Sequence, residues 1–498
     1  MAHTGVVFPE VDGKRSTSAL GRAVVADALR EVDPVGAHAA ERETNWRQGY
    51  LVHFRRMVEA GLLRDGEAAV DVARSGLASL HSRMRCATAR GEVPLGEAFS
   101  AATGSGVPLE TATVRGSGER ATSLTLPMHG ERLAGDGLRR QLDRWVAAGS
   151  LEPSAADKVR EVLEHPEWLD LSGRKVVVLG AGAEMGPLRA LLSWGAEVVG
   201  VDLPRPDIWK RVVDVAAGSA GTLHLPVAGG SSPGVAPETA DLASGAGADL
   251  VHGLPAVADW LTALEGPLVL GNYVYADGAT NVRVSSAVDA LSVELLRRRS
   301  DVALAFLATP TDVFAVPRDA VEFSTRAYRS PSAVTRVLRP ALRTVSGGRL
   351  LQRNYAPGSD PGLNDSLVAQ QGPNYALAKR LQRWRATVAA RDGVTVSLNV
   401  APPTRTRSVV KNRALASAYA GAHRFGIEVF EPATSNTLMA ALLVHDLQTA
   451  DTADGPDTRA PWLAEADGAV HGGLWRTAYD PRSALGLAVV LGLGSARG

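Results

Sequence analysis

RKVVVLGAGAEMGPLRALLSWGAEVVGVDLPRP, residues 174–206, reads as a strand, a glycine turn, a helix and a second strand. VVVL is a continuous apolar run, the form taken by a parallel strand covered by helices on both faces. Gly180 and Gly182 permit a tight turn and a close approach of backbone to a phosphate. Gly186 lets the following helix lie against the strand. A helix beginning near Glu184 and Met185 points its first N–H groups and its positive dipole end at an anion. Asp202 ends the second strand, where a carboxylate accepts hydrogen bonds from ribose hydroxyls and repels a ribose 2′-phosphate. Arg205, three residues on, offsets that repulsion.

The segment therefore predicts a nucleotide-type cofactor, NAD or NADP, with NAD favoured by Asp202. S-adenosylmethionine competes for the same pattern, because a glycine-rich turn after the first strand and an acid after the second also serve methyltransferases. A sheet that keeps the architecture without the ligand is the third reading.

Working outward, helix and strand signals alternate from Lys175 to Leu447, which predicts an α/β, doubly wound, mostly parallel Rossmann-like sheet within residues 166–450. Residues 1–165 read as an N-terminal, mainly helical extension domain. Its first sixteen residues carry no period and are expected to form a loosely packed arm. Apolar residues at three- and four-residue intervals, Tyr50, Phe54, Met57 and Val58, then Val70, Val72, Leu77 and Leu80, predict a helical hairpin over 44–84, broken at 61–66. Residues 109–114 and 121–126 flank RGSGE and predict a small β-hairpin. Helices are expected at 135–148 and at 154–163, with Ser154 as N-cap. HPEWLDLSGR reads as a linker, and residues 218–247, rich in Gly, Ala, Ser and Pro, as a surface insertion. Residues 451–498 are expected to pack near the substrate cleft.

Fifty-three basic residues balance fifty-three acidic ones, so no global field draws the chain to nucleic acid or to an anionic membrane, and a small-molecule substrate is expected. The single cysteine, Cys86, excludes an intramolecular disulfide framework and reads as a half-buried helix residue. Eleven histidines form no HExxH pattern, which predicts no metal site. His165 reads as a helix-end residue. His471, flanked by glycines, lines a pocket or sits in a surface turn. The apolar run 484–493 is too short to cross a bilayer, and a soluble cytoplasmic protein is expected.

GPNYALAKRLQRW places Tyr375 and Lys379 four apart, on one helix face. An ammonium near a phenol favours the phenolate and lowers its pKa, which suits proton transfer to or from a carbonyl or alcohol oxygen. Arg405 and Arg407, in TRTRSVVKNR, are placed to recognise a substrate carboxylate or phosphate bidentately, or else begin a solvated helix.

The order of these elements resembles the short-chain dehydrogenase/reductase superfamily over residues 174–447. RVLRPALRTVSGGRLL (336–351) is similar to the helix and fifth strand that lead to that family's active site, and NYALAK to its tyrosine–lysine helix. VTVSLNVAPPTRT (394–406) resembles the sixth strand and its proline turn, and SDVALAFLATPTDVFAVP (300–317) the fourth strand with its loop. The glycine turn carries Glu184 where the family usually has glycine. The fourth strand ends in Leu307-Ala308-Thr309 instead of Asn-Ala-Gly.

The resemblance implies an NAD(P)-dependent oxidoreductase interconverting a carbonyl and an alcohol or amine on a small polar metabolite, and a homo-oligomer. Tyr375 would be the acid/base, and Lys379 would hold nicotinamide ribose hydroxyls. Asn354, Tyr355 or Ser359 would polarise the substrate oxygen in place of the family serine, with Ser366 a further hydroxyl. Thr309 and Pro402 would join Gly180, Gly182, Glu184, Met185, Gly186, Asp202 and Arg205 around the cofactor. An S-adenosylmethionine-dependent methyltransferase and a catalytically silent scaffold are the alternatives.

Overall fold

The computed structural model describes residues 5–101, 107–229, 239–450 and 457–493. Seven strands form its main sheet: β1 (Leu109–Arg115), β2 (Lys175–Leu179), β3 (Glu197–Val201), β4 (Thr222–Ala228), β5 (Leu268–Asn272), β6 (Val302–Ala308) and β7 (Val396–Val400). Their order is β7-β6-β5-β2-β3-β4-β1, with β2 to β7 parallel and β1 antiparallel to β4. The protein is thus α/β with a mostly parallel sheet, in an order compatible with a Rossmann-like fold. From central β2 the chain winds outward through β3 and β4, then returns to β5 and winds the other way.

Alternate residues of each central strand enter different cores. Val177, Leu179, Val199, Val201, Leu270 and Phe306 face one side, and Val176, Val178, Val198, Leu223, Val269 and Leu307 the other. Burial on both faces is why VVVL reads as an unbroken apolar run. On the first face lie helices Gly278–Arg298 and Pro373–Arg391, and outside them Thr17–Leu29, Trp46–Gly61 and Glu67–Arg83. Pro153–Glu164, Leu188–Ser193, Pro206–Ala217 and Pro432–Thr449 cover the second face. Beyond β7, Val400 donates to Gly468 O at 3.1 Å and accepts from Val470 N–H at 2.9 Å, which closes that sheet edge.

Buried ion pairs lock the first-face layers together. Asp289, on Gly278–Arg298, accepts from Arg385 Nε at 2.7 Å and Nη2 at 2.9 Å, and meets His81 Nε2 of the outer layer at 2.6 Å. Burial alone would raise its pKa, but Arg385 and His81 outweigh that and hold it well below the carboxylate range. Asp312 joins Arg380 at 2.6 Å and Arg383 at 2.7 Å, and Arg383 also pairs with Glu465.

Several expectations are corrected. Residues 109–114 do not pair with 121–126. The first run is β1, on the edge of the main sheet, and Thr125–Met128 pairs with Glu131–Ala134. A segment from the expected extension thus belongs to the main sheet, and the boundary near residue 165 does not separate two packing units. HPEWLDLSGR is not a free linker, since Leu169 and Leu171 are buried in the second core.

The expected insertion 218–247 contains β4. Pro226 is accommodated because β4 pairs with β3 only over Thr222–His224. Its part from 230 to 238 lies outside the described residues. Gly5–Val7 is no loose arm, being paired with Arg85–Thr88, and Cys86 is a buried strand residue there. Residues 346–351 form no strand, because Gly347, Gly348 and Leu351 all have positive φ. The fourth parallel strand in chain order is β5, beside β2, so residues 302–308, expected as the fourth strand, are the fifth.

Asp289→Ala leaves Arg385 buried without its carboxylate, and is expected to cost about 3–5 kcal/mol in a urea titration. Glu322→Ala, which breaks only exposed pairs with Arg318 and Arg326, is expected to cost less than about 1 kcal/mol.

Candidate functional site

The strand order reverses between β2 and β5, and the chain leaves these neighbours toward opposite faces. In open α/β sheets ligands bind outside the carboxyl ends of the strands at such a point. Gly180 (φ +88°) turns the chain out of β2, and a Cβ there would lie 3.0 Å from Tyr273 O. Gly182 donates its N–H to Asp202 Oδ2 at 2.8 Å, and a Cβ on it would lie 2.7 Å from Ile208 Cγ2. Both glycines are therefore demanded by the chain's own packing. Gly186 is buried against Val178, as close helix–strand contact requires.

The helix begins at Leu188, not near Glu184, and spans six residues. Gly186 precedes Pro187, whose ring keeps the residue before it out of the helical region. Glu184 and Met185 thus lie in an irregular turn, with Met185 packed on the second core. The dipole argument for an anion at this helix does not hold.

Asp202 accepts from Gly182 and, through Oδ1, from Leu203 N–H at 2.8 Å. Burial raises its pKa and outweighs these bonds. Arg205 pairs with Asp207 at 2.9 Å rather than bonding Asp202. Glu184 accepts from the Arg407 N–H at 2.8 Å and from its Nε at 2.5 Å. Burial would raise the Glu184 carboxyl, but Arg407 holds it below its ordinary value. The segment after β7 therefore reaches across to the glycine turn.

Tyr375 lies at the same sheet edge. Its ring meets that of Tyr275 edge-on at 6.3 Å, and Tyr275 follows Tyr273, the residue packed against Gly180. Burial raises the Tyr375 pKa, with the neighbouring Thr309 hydroxyl acting in the opposite direction. Thr309 meets Thr311 at 2.9 Å, and Gln371 Nε2 donates to Thr311 Oγ1 at 2.8 Å. Lys379 donates to Gln382 Oε1 at 3.1 Å, and Gln382 Nε2 donates to Asn272 Oδ1 at 3.2 Å. Burial lowers Lys379 to about 8. The expected lowering of the tyrosine by the lysine is thus overturned: the ammonium is turned along its own helix toward β5, and the phenol stays protonated. Tyr419 also faces this group, its pKa raised by burial.

The structure brings Thr309, Tyr375 and Lys379 to one edge and takes other expected residues elsewhere. Asn354 donates to the carbonyls of Leu474 and Thr477, and Tyr355 OH donates to Trp475 O at 2.6 Å. Ser359 is half-buried and donates to Ala356 O, and Ser366 is buried on Asn364. Asn354, Tyr355 and, through Asn364, Ser366 belong to the packing around the C-terminal segment, because the strand expected before them does not exist. Pro402 is buried, its carbonyl accepting from Thr404 Oγ1, and Arg405 is exposed, its N–H bonded to Phe430 O. His471 is neither pocket lining nor surface turn. It is fully buried, stacked on Trp475, with Nε2 2.8 Å from Glu152.

Sequence reasoning missed Asn272, Tyr275, Thr311, Gln371, Gln382 and Tyr419. LVLGN has the same unbroken apolar form as VVVL and was the available signal for β5. Gln382 stands one turn beyond Lys379.

Among the described residues no group of three or more His, Cys, Asp and Glu is placed to hold a metal ion, and no helix is long and apolar enough to cross a membrane. Compared with known families, with curated proteins and with solved structures, the chain finds no match.

Glu152 supplies a pH test. Burial would raise its pKa, but His471 and Arg476 outweigh that and lower it to about 2. A depressed carboxyl adds stability that is present above its unfolded value of 4.5 and is lost as pH falls toward 2. The urea midpoint is expected to drop across this window, and Glu152→Gln to lower the midpoint at pH 7 while flattening the drop.

Proposed function

We propose that the chain is an NAD(P)-dependent oxidoreductase of divergent short-chain type, interconverting a carbonyl and an alcohol or amine on a small polar metabolite. The observation that carries this reading is the meeting of Tyr375 and Thr309 with the glycine turn's neighbours at the point where the strand order reverses. The order β4-β3-β2-β5-β6-β7 is that of two mononucleotide-binding halves, which supports a doubly wound Rossmann-like domain.

Asp202 fits the ribose of a dinucleotide, whereas the N–H groups of Gly180, Ala181, Gly182 and Ala183 are already bonded within the chain and are not free for its phosphates. Two of the roughly four lone-pair positions of the Asp202 carboxylate are used by Gly182 and Leu203, leaving capacity for ribose hydroxyls. NAD is favoured over NADP by that carboxylate, and Lys379 would hold the ribose nearer the reacting ring. The chemistry such a cofactor supplies is two-electron transfer at a carbonyl carbon. Tyr375, kept protonated by burial, donates its proton to the carbonyl oxygen as negative charge develops there. Thr309 polarises the same oxygen. Lys379, charged below about 8, donates to Gln382 and keeps two further N–H donors for that ribose.

Reduction is therefore expected to decline as pH rises through about 8, where Lys379 loses its proton. Tyr375→Phe is expected to lower kcat by about 10²–10⁴-fold, followed by NADH or NADPH oxidation over a panel of small carbonyl compounds. Unchanged activity in that variant, or no binding of either cofactor at millimolar concentration, would defeat the proposal. Calorimetric titration with S-adenosylhomocysteine beside NAD separates it from a methyltransferase, and failure of both to bind leaves the silent scaffold.

A further inference from the structure

We propose that helix Ala333–Val345 is a membrane-contact element, which lays its apolar face on an anionic lipid leaflet while the arginines around it meet the headgroups. It lies on the membrane and does not span it.

The helix is mounted with its sides reversed. Val337, Leu338, Ala341 and Val345 recur at intervals of three and four and share one face, while Arg336, Arg339 and Arg343 share the opposite one. A surface helix ordinarily turns its apolar stripe to the core. Here the cationic side docks. Arg339 donates to Tyr328 O at 2.8 Å and stands 4.3 Å from the centre of that ring, and Arg343 donates to Leu351 O at 3.1 Å. Leu342, at the border of the two sides, packs on a small cluster of Leu351, Tyr479 and Ala484. The apolar side is left in water: Val337 is 75% exposed, Leu338 51% and Val345 90%. None of the helix's described side chains is buried.

Side chains so exposed form a ridge and not the floor of a groove. A ridge without walls suits a soft apolar phase into which it sinks, by about 5–10 Å for a helix lying in the interface. Leu487, on the same cluster as Leu342, belongs to Pro481–Gly492, a helix without acids whose end exposes Val490 and Leu491.

Charge selects the kind of surface. From Arg329 to Ser359 the chain carries Arg329, Arg336, Arg339, Arg343, Arg349 and Arg353 and neither Asp nor Glu. Among the described residues none of the six is paired with a carboxylate, and Arg329, Arg336, Arg349 and Arg353 are exposed. The balance of fifty-three basic and fifty-three acidic residues over the whole chain conceals this local excess. A second copy placing this face on its own would set arginine against arginine, so the complementary surface is anionic. Anionic lipid supplies both the charge and the apolar phase.

The test is sedimentation of the full chain with vesicles of phosphatidylcholine alone and of phosphatidylcholine mixed with phosphatidylglycerol, at low and high salt. The variants are the pairs Val337→Asp with Val345→Asp and Arg336→Gln with Arg349→Gln. All four positions are exposed, so the urea midpoint is expected to stay unchanged in both. The parent is expected to sediment with the anionic vesicles only and to be released by salt. The aspartate pair is expected to weaken this binding by about a hundredfold, and the glutamine pair by about tenfold. Absence of binding to anionic vesicles, equal binding to both kinds of vesicle, or equal binding by the parent and the aspartate pair overturns the proposal. So does a dimer in analytical ultracentrifugation that the aspartate pair splits, since the ridge would then face a second copy. None of these readouts depends on a cofactor or on activity.

Discussion

Everything at the candidate site depends on β2 being hydrogen-bonded on both sides in parallel, to β3 and to β5. Lys175 stands beside both Glu197 and Leu268, and Leu179 beside both Val201 and Asn272, so three strand ends finish level. From that level edge the chain must leave in different directions, because the connection after β2 covers one face and the one after β5 covers the other. The gap between them cannot be filled by regular structure. Gly180, Asp202, Tyr273 and Asn272 are the residues that the ladder delivers to it.

The polar groups around that gap are held from outside. Tyr375, Lys379 and Gln382 ride on Pro373–Arg391, and the same helix carries Arg380, Arg383 and Arg385, whose carboxylate partners Asp312, Glu465 and Asp289 are all buried. Such pairs need not add net stability over apolar packing, since desolvating the charges is costly. Their geometry is nonetheless strict, because an unpaired buried arginine is far more costly still. The helix is thereby fixed in rotation and along its axis, and with it the position of the phenol. The N-terminal helices, through His81 on Asp289, are part of that fixation and so part of the site's support.

What was legible in the sequence follows from the same physics. β2 and β3 are buried on both faces, so their residues are apolar without alternation and their limits can be read locally. The helical hairpin from Trp46 to Arg83 was equally plain, because its period is internal to each helix. β1 was not legible as an edge strand: LETATVR mixes half-buried and exposed positions, which fits a local hairpin as well as pairing with β4, a strand reached only after two more strands of the main sheet intervene. β4 was hidden by Pro226 and by the glycine-rich sequence after it. Missing β5 moved every later strand by one place, and that shift sent Asn354, Tyr355 and Ser359 to the active-site edge on paper while Thr309 was assigned to the cofactor alone.

The tyrosine–lysine pair shows why spacing does not determine chemistry. Four residues apart, the two side chains share a helix face, yet Lys379 is drawn to Gln382 and through it to Asn272. The phenol is left with Thr309 and with the rings of Tyr275 and Tyr419, surroundings that disfavour its anion. A phenol in this state is a proton donor before it is a base, and the lysine, its own pKa brought down near 8, is the group whose charge changes within the working range. Lys379 is joined through Gln382 to Asn272 at the end of β5, apart from the tyrosine, and the sheet that places Asn272 beside Leu179 also positions the far end of that chain.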